Sequence, residues 1–570
     1  MTANANANAT SAATSDVLDA SDPKVLGANP LVGLTRGQIA AALARLGQRA
    51  AVEPGVALSD ATVAVSELLK VAVGRSEVAP AKGDKRFTHP AWSQNPVYRR
   101  VMQGYLIEAR ALLAIVDDVD LDAKSRERAR FAVSLLTEAL APTNTLLGNP
   151  SALAKATETR GRSLFDGLRH MASDLRRNNG MPSTVDTRPF HVGGNIAVTP
   201  GQVVHRTDVF ELIQYEPQTE VVAARPLVAI PPQINKYYIQ DIAPGRSLIE
   251  YMVTAGFPYF TISWRNPTSA QRDWNLDTYV AACKEAVEVA CEITGSDDAD
   301  VAGMCAGGIT MAALLGHLAA TGSDIVNSAT FMVAGLDTAV ESTIGMLASK
   351  AAVEAARARS QRAGVLDGND LARVFAWLRP NDLVWNYWVN NYLLGQNPPA
   401  FDILYWNADT TRLPAGLHSD FLDLFSSNGL AEGTLTVLGT PIDLGKVDVD
   451  TYVVAGSTDH IVPWQAAYQT TQLLGGETEF VLSSSGHIQA IVNPPGNKKS
   501  SFRTAPADFE LPAGTDEWLA AAEQHPGTWW EHWVAWLQKR SDGQRPAPAQ
   551  LGSAAHPALE ASPGRYVHLT

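Results

Sequence analysis

The spacing of apolar positions changes along this chain, and each change marks a new kind of element. Over residues 87–177 apolar side chains recur at helical intervals, as in Tyr98, Val101, Met102, Tyr105 and Leu106, which predicts a helical domain. The acidic run from Asp117 to Asp122 lacks the glycine and glutamate that a calcium loop needs, so it reads as a solvated turn between helices. After Asn178-Asn179-Gly180-Met181-Pro182 short strands are predicted at 190–192, 203–206 and 210–215, followed by apolar runs at 226–230 and 259–263. An amphipathic helix over 274–293 places Leu276, Tyr279, Val280, Cys283, Val287, Ala290 and Cys291 on one side. Strand, helix and strand then continue at 299–302, 306–320 and 329–334. This alternation predicts an α/β protein, with a mostly parallel sheet and helices on both faces.

The alternation breaks between about 337 and 448, where a helix-rich stretch intervenes before strands resume at 451–455 and 479–482. Such an insertion is expected to be a lid or cap. Residues 375–406 hold nine aromatics in 32 residues, about 28% against 7% for the whole chain, so a helical subdomain with its own aromatic core fits equally. The expected organisation is a disordered or weakly helical extension at 1–85, a helical domain at 86–188, the catalytic α/β domain at 189–545 and a tail at 546–570. The first thirty residues, rich in Ala, Asn, Thr and Ser, read as disordered, with weakly amphipathic stretches near 37–47 and 61–73.

Composition narrows the classes. A net charge of −14, from 45 basic and 59 acidic side chains, argues against a nucleic-acid binder. The three cysteines Cys283, Cys291 and Cys305 cannot build a disulfide framework, which suggests a reducing cytoplasm. No secretory signal precedes Lys24, and the longest apolar stretch, 309–321, is interrupted by His317 and too short to span a bilayer. No transmembrane segment or metal site is expected.

Candidate chemistry centres on Gly303-Met304-Cys305-Ala306-Gly307-Gly308, a G-x-C-x-G pattern between a predicted strand and a predicted helix. That is the setting of a nucleophile elbow, with cysteine where hydrolases commonly place serine. A carboxylate, Asp459, follows the strand at 451–455, and an imidazole, His487, follows the strand at 479–482. The chain order Cys305, Asp459, His487 is the nucleophile, acid and base order of α/β-hydrolases. Asp337 is an alternative acid. His460 is read as a residue supporting Asp459, with the base as its less favoured role. Cys283 and Cys291 read as core thiols. The oxyanion hole is expected from the backbone N–H of Ala306 and from the loop at 231–236, with Ile234 as the donor. Cysteine itself carries information. A free thiol is only about three per cent thiolate at pH 7, so His487 must serve as its base. Transfer of an acyl group from a thioester onto cysteine keeps it activated, which points to acyl transfer more than to hydrolysis.

These motifs resemble those of the polyhydroxyalkanoate synthases, from about Phe87 onward. The resemblance is carried by Pro231-Pro232-Gln233-Ile234-Asn235-Lys236, Ser263-Trp264-Arg265-Asn266-Pro267, the segment around Cys305, Leu378-Arg379-Pro380-Asn381-Asp382, Asp459-His460-Ile461-Val462-Pro463-Trp464 and Ser485-Gly486-His487-Ile488. Gln233 and the stretch 387–407 are similar to the class II enzymes, while Gly456-Ser457 and Ile461-Val462-Pro463 are closer to class I. The resemblance implies an α/β-hydrolase fold and polymerisation of (R)-3-hydroxyacyl-CoA, with CoA as product and no cofactor. It implies that Cys305 carries the chain, that His487 deprotonates it and that Asp459 assists His487 or activates the 3-hydroxyl. It also implies a homodimer at the surface of cytoplasmic polyester granules, with granule-associated proteins as possible partners. Asn235, Lys236 and Arg379 are candidates for CoA binding. The competing readings are a cysteine-type α/β hydrolase (thioesterase, dienelactone hydrolase or polyester depolymerase) and a non-catalytic granule-binding protein.

Overall fold

A computed structural model describes residues 54–339, 350–506 and 509–570, with a few isolated positions between 44 and 52. The residues expected to be disordered, and the stretch at 37–47, lie almost wholly outside the described residues. The described chain falls into two compact units. The first comprises Met1–Asp186, Met346–Ala355 and Arg373–Phe401; the second comprises Thr187–Gly345, Ala356–Ala372 and Asp402–Thr570.

The first unit is helical. A helix over Pro54–Ala72 occupies the region expected to be weakly helical, and helices Pro96–Asp118 and Ala123–Ala139 form the hairpin predicted around the acidic turn. Asp122 caps the second of these by accepting the Ser125 N–H at 3.0 Å, so the turn is a capping device. The aromatic part of the insertion, Arg373–Phe401, belongs to this unit. Within it Trp377, Trp385, Trp388 and Tyr392 form an edge-to-face run. Tyr392 donates its hydroxyl to Asp174 (2.8 Å) and Trp388 its indole N–H to the Asn144 carbonyl (3.0 Å). The insertion expected as one lid is thus divided between the two units, because its aromatic face finds partners on the N-terminal helices.

The second unit is built on one sheet. Its strands are β1 (Gly201–Arg206), β2 (Phe210–Tyr215), β3 (Leu227–Ile230), β4 (Tyr259–Trp264), β5 (Ala299–Met304), β6 (Val326–Met332), β7 (Asp450–Gly456), β8 (Thr478–Ser483), β9 (Ser501–Thr504), β10 (Glu523–Pro526) and β11 (Glu560–Ala561). They lie in the order β10-β9-β8-β7-β6-β5-β3-β4-β2-β1-β11. From β4 through β3, β5, β6 and β7 to β8 every pairing is parallel. The flanking pairings, β2 on β4 and β9 on β8 among them, are antiparallel. β3, β4 and β5 are buried along their whole length, as expected for parallel strands covered on both faces. The helix after β5, Ala306–Thr321, is apolar on all sides and buried from Ala306 to Leu318, as a helix enclosed by other layers must be. This is the α/β-hydrolase fold.

Three features differ from expectation. Residues 190–192 form no strand: Gly193 takes a positive φ and turns the chain back, leaving only a bridge between Val192 and Ile196. The residues expected as a C-terminal tail supply β11, which pairs with β1. Two further strands, β9 and β10, extend the sheet beyond β8.

One buried carboxyl gives the fold a measurable pH dependence. Asp300 on β5 accepts hydrogen bonds from Ser328 (2.6 Å) and Asn327 (2.9 Å), and burial pushes its pKa up to about 6. The folded state therefore holds this proton more tightly than the unfolded one, and stability falls as pH rises from about 4 to 6. Asp300→Asn keeps an oxygen acceptor and removes the titration. The wild-type thermal midpoint should drop more than that of Asp300→Asn between pH 4.5 and 7.5; parallel profiles would contradict this.

Candidate active site

Neighbouring strands β3 and β5 send the chain in opposite directions, toward β4 and toward β6. The crevice outside their carboxyl ends is the topological switch point, where open α/β sheets bind ligands. Residues 231–236 leave from β3 and Cys305 leaves from β5, so the expected oxyanion loop and the expected nucleophile border the same crevice.

Cys305 alone joins β5 to the helix Ala306–Thr321, with φ 49° and ψ −121°. A cysteine at positive φ is strained, and the surroundings hold it there. Its N–H donates to the Met332 carbonyl on β6, and its own carbonyl accepts the Gly308 N–H, each at 2.9 Å. The turn is possible because side chains are missing. A Cβ on Gly303 would meet the Gly308 Cα at 2.7 Å, and one on Gly307 would strike the Ile230 carbonyl at the end of β3. Cys305 remains half-buried, whereas Cys283 and Cys291 are buried, and burial pushes the Cys291 thiol up to about 12. The Ala306 N–H, at the first position of the helix, has no intrahelical acceptor and sits at the positive end of the helix dipole.

Asp459 follows β7 and His487 follows β8, where it opens the short helix His487–Ile491. The Asp459 Oδ2 accepts from His487 Nδ1 at 2.6 Å. Its Oδ1 accepts the Ile461 and Val462 N–H groups at 2.8 and 3.0 Å. Both oxygens are thus occupied, and with Nδ1 engaged Nε2 is the ring nitrogen left for a further partner. Burial acts to lower the pKa of His487, but the charge of Cys305, the charge of Asp459 and hydrogen bonds to both outweigh it and raise the pKa well above its ordinary value. Asp337, the alternative acid, instead accepts from Asn428 at 2.9 Å and from the Ala339 N–H at 2.8 Å. His460 is half-buried next to Asp459 in the chain.

His487 also has a support from a helix some forty residues further along the chain. The helix Trp529–Gln538 buries Trp529, Trp530, Trp533 and Trp536. Trp529 and Trp530 donate their indole N–H groups to the carbonyls of Ala490 (2.7 Å) and Ile491 (3.1 Å). These are carbonyls at the end of the helix that His487 begins, so two tryptophans hold that helix in place. Tryptophans at 529, 530, 533 and 536 lie at helical spacing, which was the available signal.

In the loop 231–236, Ile234 and Asn235 are half-buried, and Asn235 bridges to Thr410. Lys236, expected near CoA phosphates, is instead buried at 3% exposure and donates Nζ to the Leu569 carbonyl at 2.6 Å. Arg379 lies in the first unit, where it pairs with Asp382. Among the described residues, no cluster of three or more His, Cys, Asp or Glu is arranged to hold a metal, and no helix is long and apolar enough to cross a membrane.

Fold and site define an α/β-hydrolase-fold protein with cysteine at the nucleophile position. Residues 83–252 match the family described as the poly-beta-hydroxybutyrate polymerase (PhaC) N-terminus, and residues 238–494 match the alpha/beta hydrolase fold. Poly(3-hydroxyalkanoate) polymerase 1 of Ectopseudomonas oleovorans is 48% identical over 544 residues, 95% of this chain and 97% of its own. The polymerase subunit PhaC of Cupriavidus necator is 42% identical over 505 residues, covering 87% and 85%. Among solved structures, a hydrolase from Pseudomonas aeruginosa PA01 is 15% identical over 51% of this chain and 92% of its own, with a TM-score of 0.30. The chain belongs to the poly(3-hydroxyalkanoate) polymerase family.

The carboxylate's influence on the imidazole is open to direct measurement. Asp459→Asn removes a charge that raises the pKa of His487, so the His487 NMR titration should move to lower pH in this variant. An unchanged midpoint would contradict the pairing.

Proposed function

We propose that this chain polymerises (R)-3-hydroxyacyl-CoA thioesters into polyhydroxyalkanoate and releases CoA, with Cys305 as the acyl carrier. The observation that carries this reading is the hydrogen bond that buried Asp459 accepts from His487, in a chain of the polymerase family. His487 holds the thiol proton as the Cys305 sulfur attacks the thioester carbonyl. The new S–acyl bond forms, the bond to the CoA sulfur breaks, and His487 returns the proton to the departing CoA thiolate. For elongation the 3-hydroxyl of an incoming hydroxyacyl-CoA gives its proton to His487 and attacks the acyl group on Cys305. An ester bond forms, the S–acyl bond breaks, and the Cys305 sulfur recovers a proton. The lengthened chain, now on CoA, returns to Cys305 by the first reaction. Because both Asp459 oxygens are engaged, its role here is to orient His487 and stabilise the imidazolium, with the 3-hydroxyl left to the imidazole. Ala306 and Ile234 supply the N–H groups for the tetrahedral oxyanion.

Other parts of the proposal rest on the family resemblance: CoA thioester as the substrate with no cofactor, Asn235 at the CoA site, a homodimer, and work at the polyester granule surface in the cytoplasm. Sedimentation with and without substrate tests the dimer.

Incubation with a 3-hydroxyacyl-CoA, following CoA release and polymer turbidity together, tests the chemistry. Both signals should rise in the wild type, Cys305→Ala should abolish both, and His487→Ala should slow CoA release at least about 10²-fold. CoA release without polymer would sink the polymerase reading in favour of a thioesterase. Robust polymer from Cys305→Ser would contradict the thioester argument.

A further inference from the structure

Lysine is seldom buried, since removing an ammonium from water is costly unless partners replace its hydration. Lys236 closes the loop expected to supply the second oxyanion donor, yet it is almost wholly enclosed. Its Nζ donates to the Leu569 carbonyl at 2.6 Å, and that same oxygen accepts Asn266 Nδ2 at 3.1 Å. Burial lowers the pKa of Lys236, which the negative charge of Asp409 partly opposes.

The carbonyl that receives Lys236 is itself well anchored. It follows the short helix Tyr566–His568, whose Val567 is buried. The Arg565 and Tyr566 N–H groups each donate to the buried Glu211 carboxylate on β2 at 3.0 Å. The Tyr566 hydroxyl donates to the Thr207 carbonyl at 2.6 Å, and β11 just upstream pairs with β1. A continuous path therefore runs from strands β1 and β2 to the loop after β3. The opposite side of the loop is held by the insertion: Trp406 donates to the Lys236 carbonyl, and Thr411 to the Gln233 carbonyl, each at 2.7 Å. Asn266 links the two sides, because its Oδ1 accepts the Arg412 N–H at 3.0 Å.

We infer that Lys236, through the Leu569 carbonyl, is a positioning residue that holds the loop 231–236 in the geometry needed to bind the oxyanion. This deepens the polymerase reading and rests on its acyl-transfer step; Lys236 acts on the loop through the Leu569 carbonyl. The ammonium is the strut, and the segment 565–569 is its footing.

Two reactions of Cys305 in the full chain separate positioning from general damage. A p-nitrophenyl ester acylates the sulfur: the S–acyl bond forms, the acyl–oxygen bond breaks, and p-nitrophenolate leaves by way of a tetrahedral oxyanion. Iodoacetamide alkylates the same sulfur: an S–C bond forms and iodide leaves, with no oxyanion. In Lys236→Met, acylation should slow about 10–100-fold, the scale of a misplaced oxyanion donor, while alkylation stays within about twofold. Asn266→Ala should slow acylation in the same selective way but less. Equal slowing of both reactions, or unslowed acylation in both variants, overturns the inference. A wild type that is acylated by the ester but releases no CoA from 3-hydroxyacyl-CoA counts against the polymerase reading alone.

Discussion

The whole site depends on how closely the helix Ala306–Thr321 can approach the strands it follows. Glycine at 303 and 307 removes the atoms that would collide with Gly308 and with the Ile230 carbonyl, and only then can Cys305 occupy its strained turn. That turn raises the thiol above the sheet and places the Ala306 N–H beside it at the start of a helix. A side chain at either glycine would push the helix away from the crevice. The Cys305 thiol and the Ala306 N–H would lose their positions together, because the same two close contacts hold both.

Around this turn the structure divides the remaining work among elements far apart in the chain. β7 and β8 present Asp459 and His487, the Trp529–Gln538 helix secures the short helix behind His487, and the loop after β3 faces Cys305 across the switch point. Each contribution comes from a backbone segment held by hydrogen bonds to other segments, so the reacting side chains need little reorganisation. Preorganisation of this kind is where an acyl-transfer enzyme gains most, since donors already aimed at a developing charge do not have to be reoriented during the reaction.

The central strands, the Cys305 turn and the Asp459–His487 pair were legible because their signals are local: apolar runs ended by turn residues, glycines around one cysteine, and a carboxylate and an imidazole after the right strands. What escaped the sequence depends on distant partners. β11 is only two residues long and is defined by β1, more than 350 positions earlier. Lys236 looks like a surface cation until Leu569 is brought to it. The apolar pattern of the insertion marks it as helical, but its division between two units is decided by which surfaces its aromatics meet. Residues 190–192 show the opposite error, since a local β pattern yielded to the turn at Gly193. Lys236 and Arg379, the two cations considered for CoA binding, have protein partners in the Leu569 carbonyl and Asp382.

In the proposed reaction every acyl group passes through the Cys305 sulfur. Rapid acid quench of the wild-type chain with 3-hydroxyacyl-CoA, followed by peptide mass analysis, tests it most directly. One or more hydroxyacyl units should be attached to the peptide containing Cys305, appearing with the first CoA released and lost on treatment with hydroxylamine. CoA release with Cys305 unmodified, or with the acyl group on another residue, would contradict it.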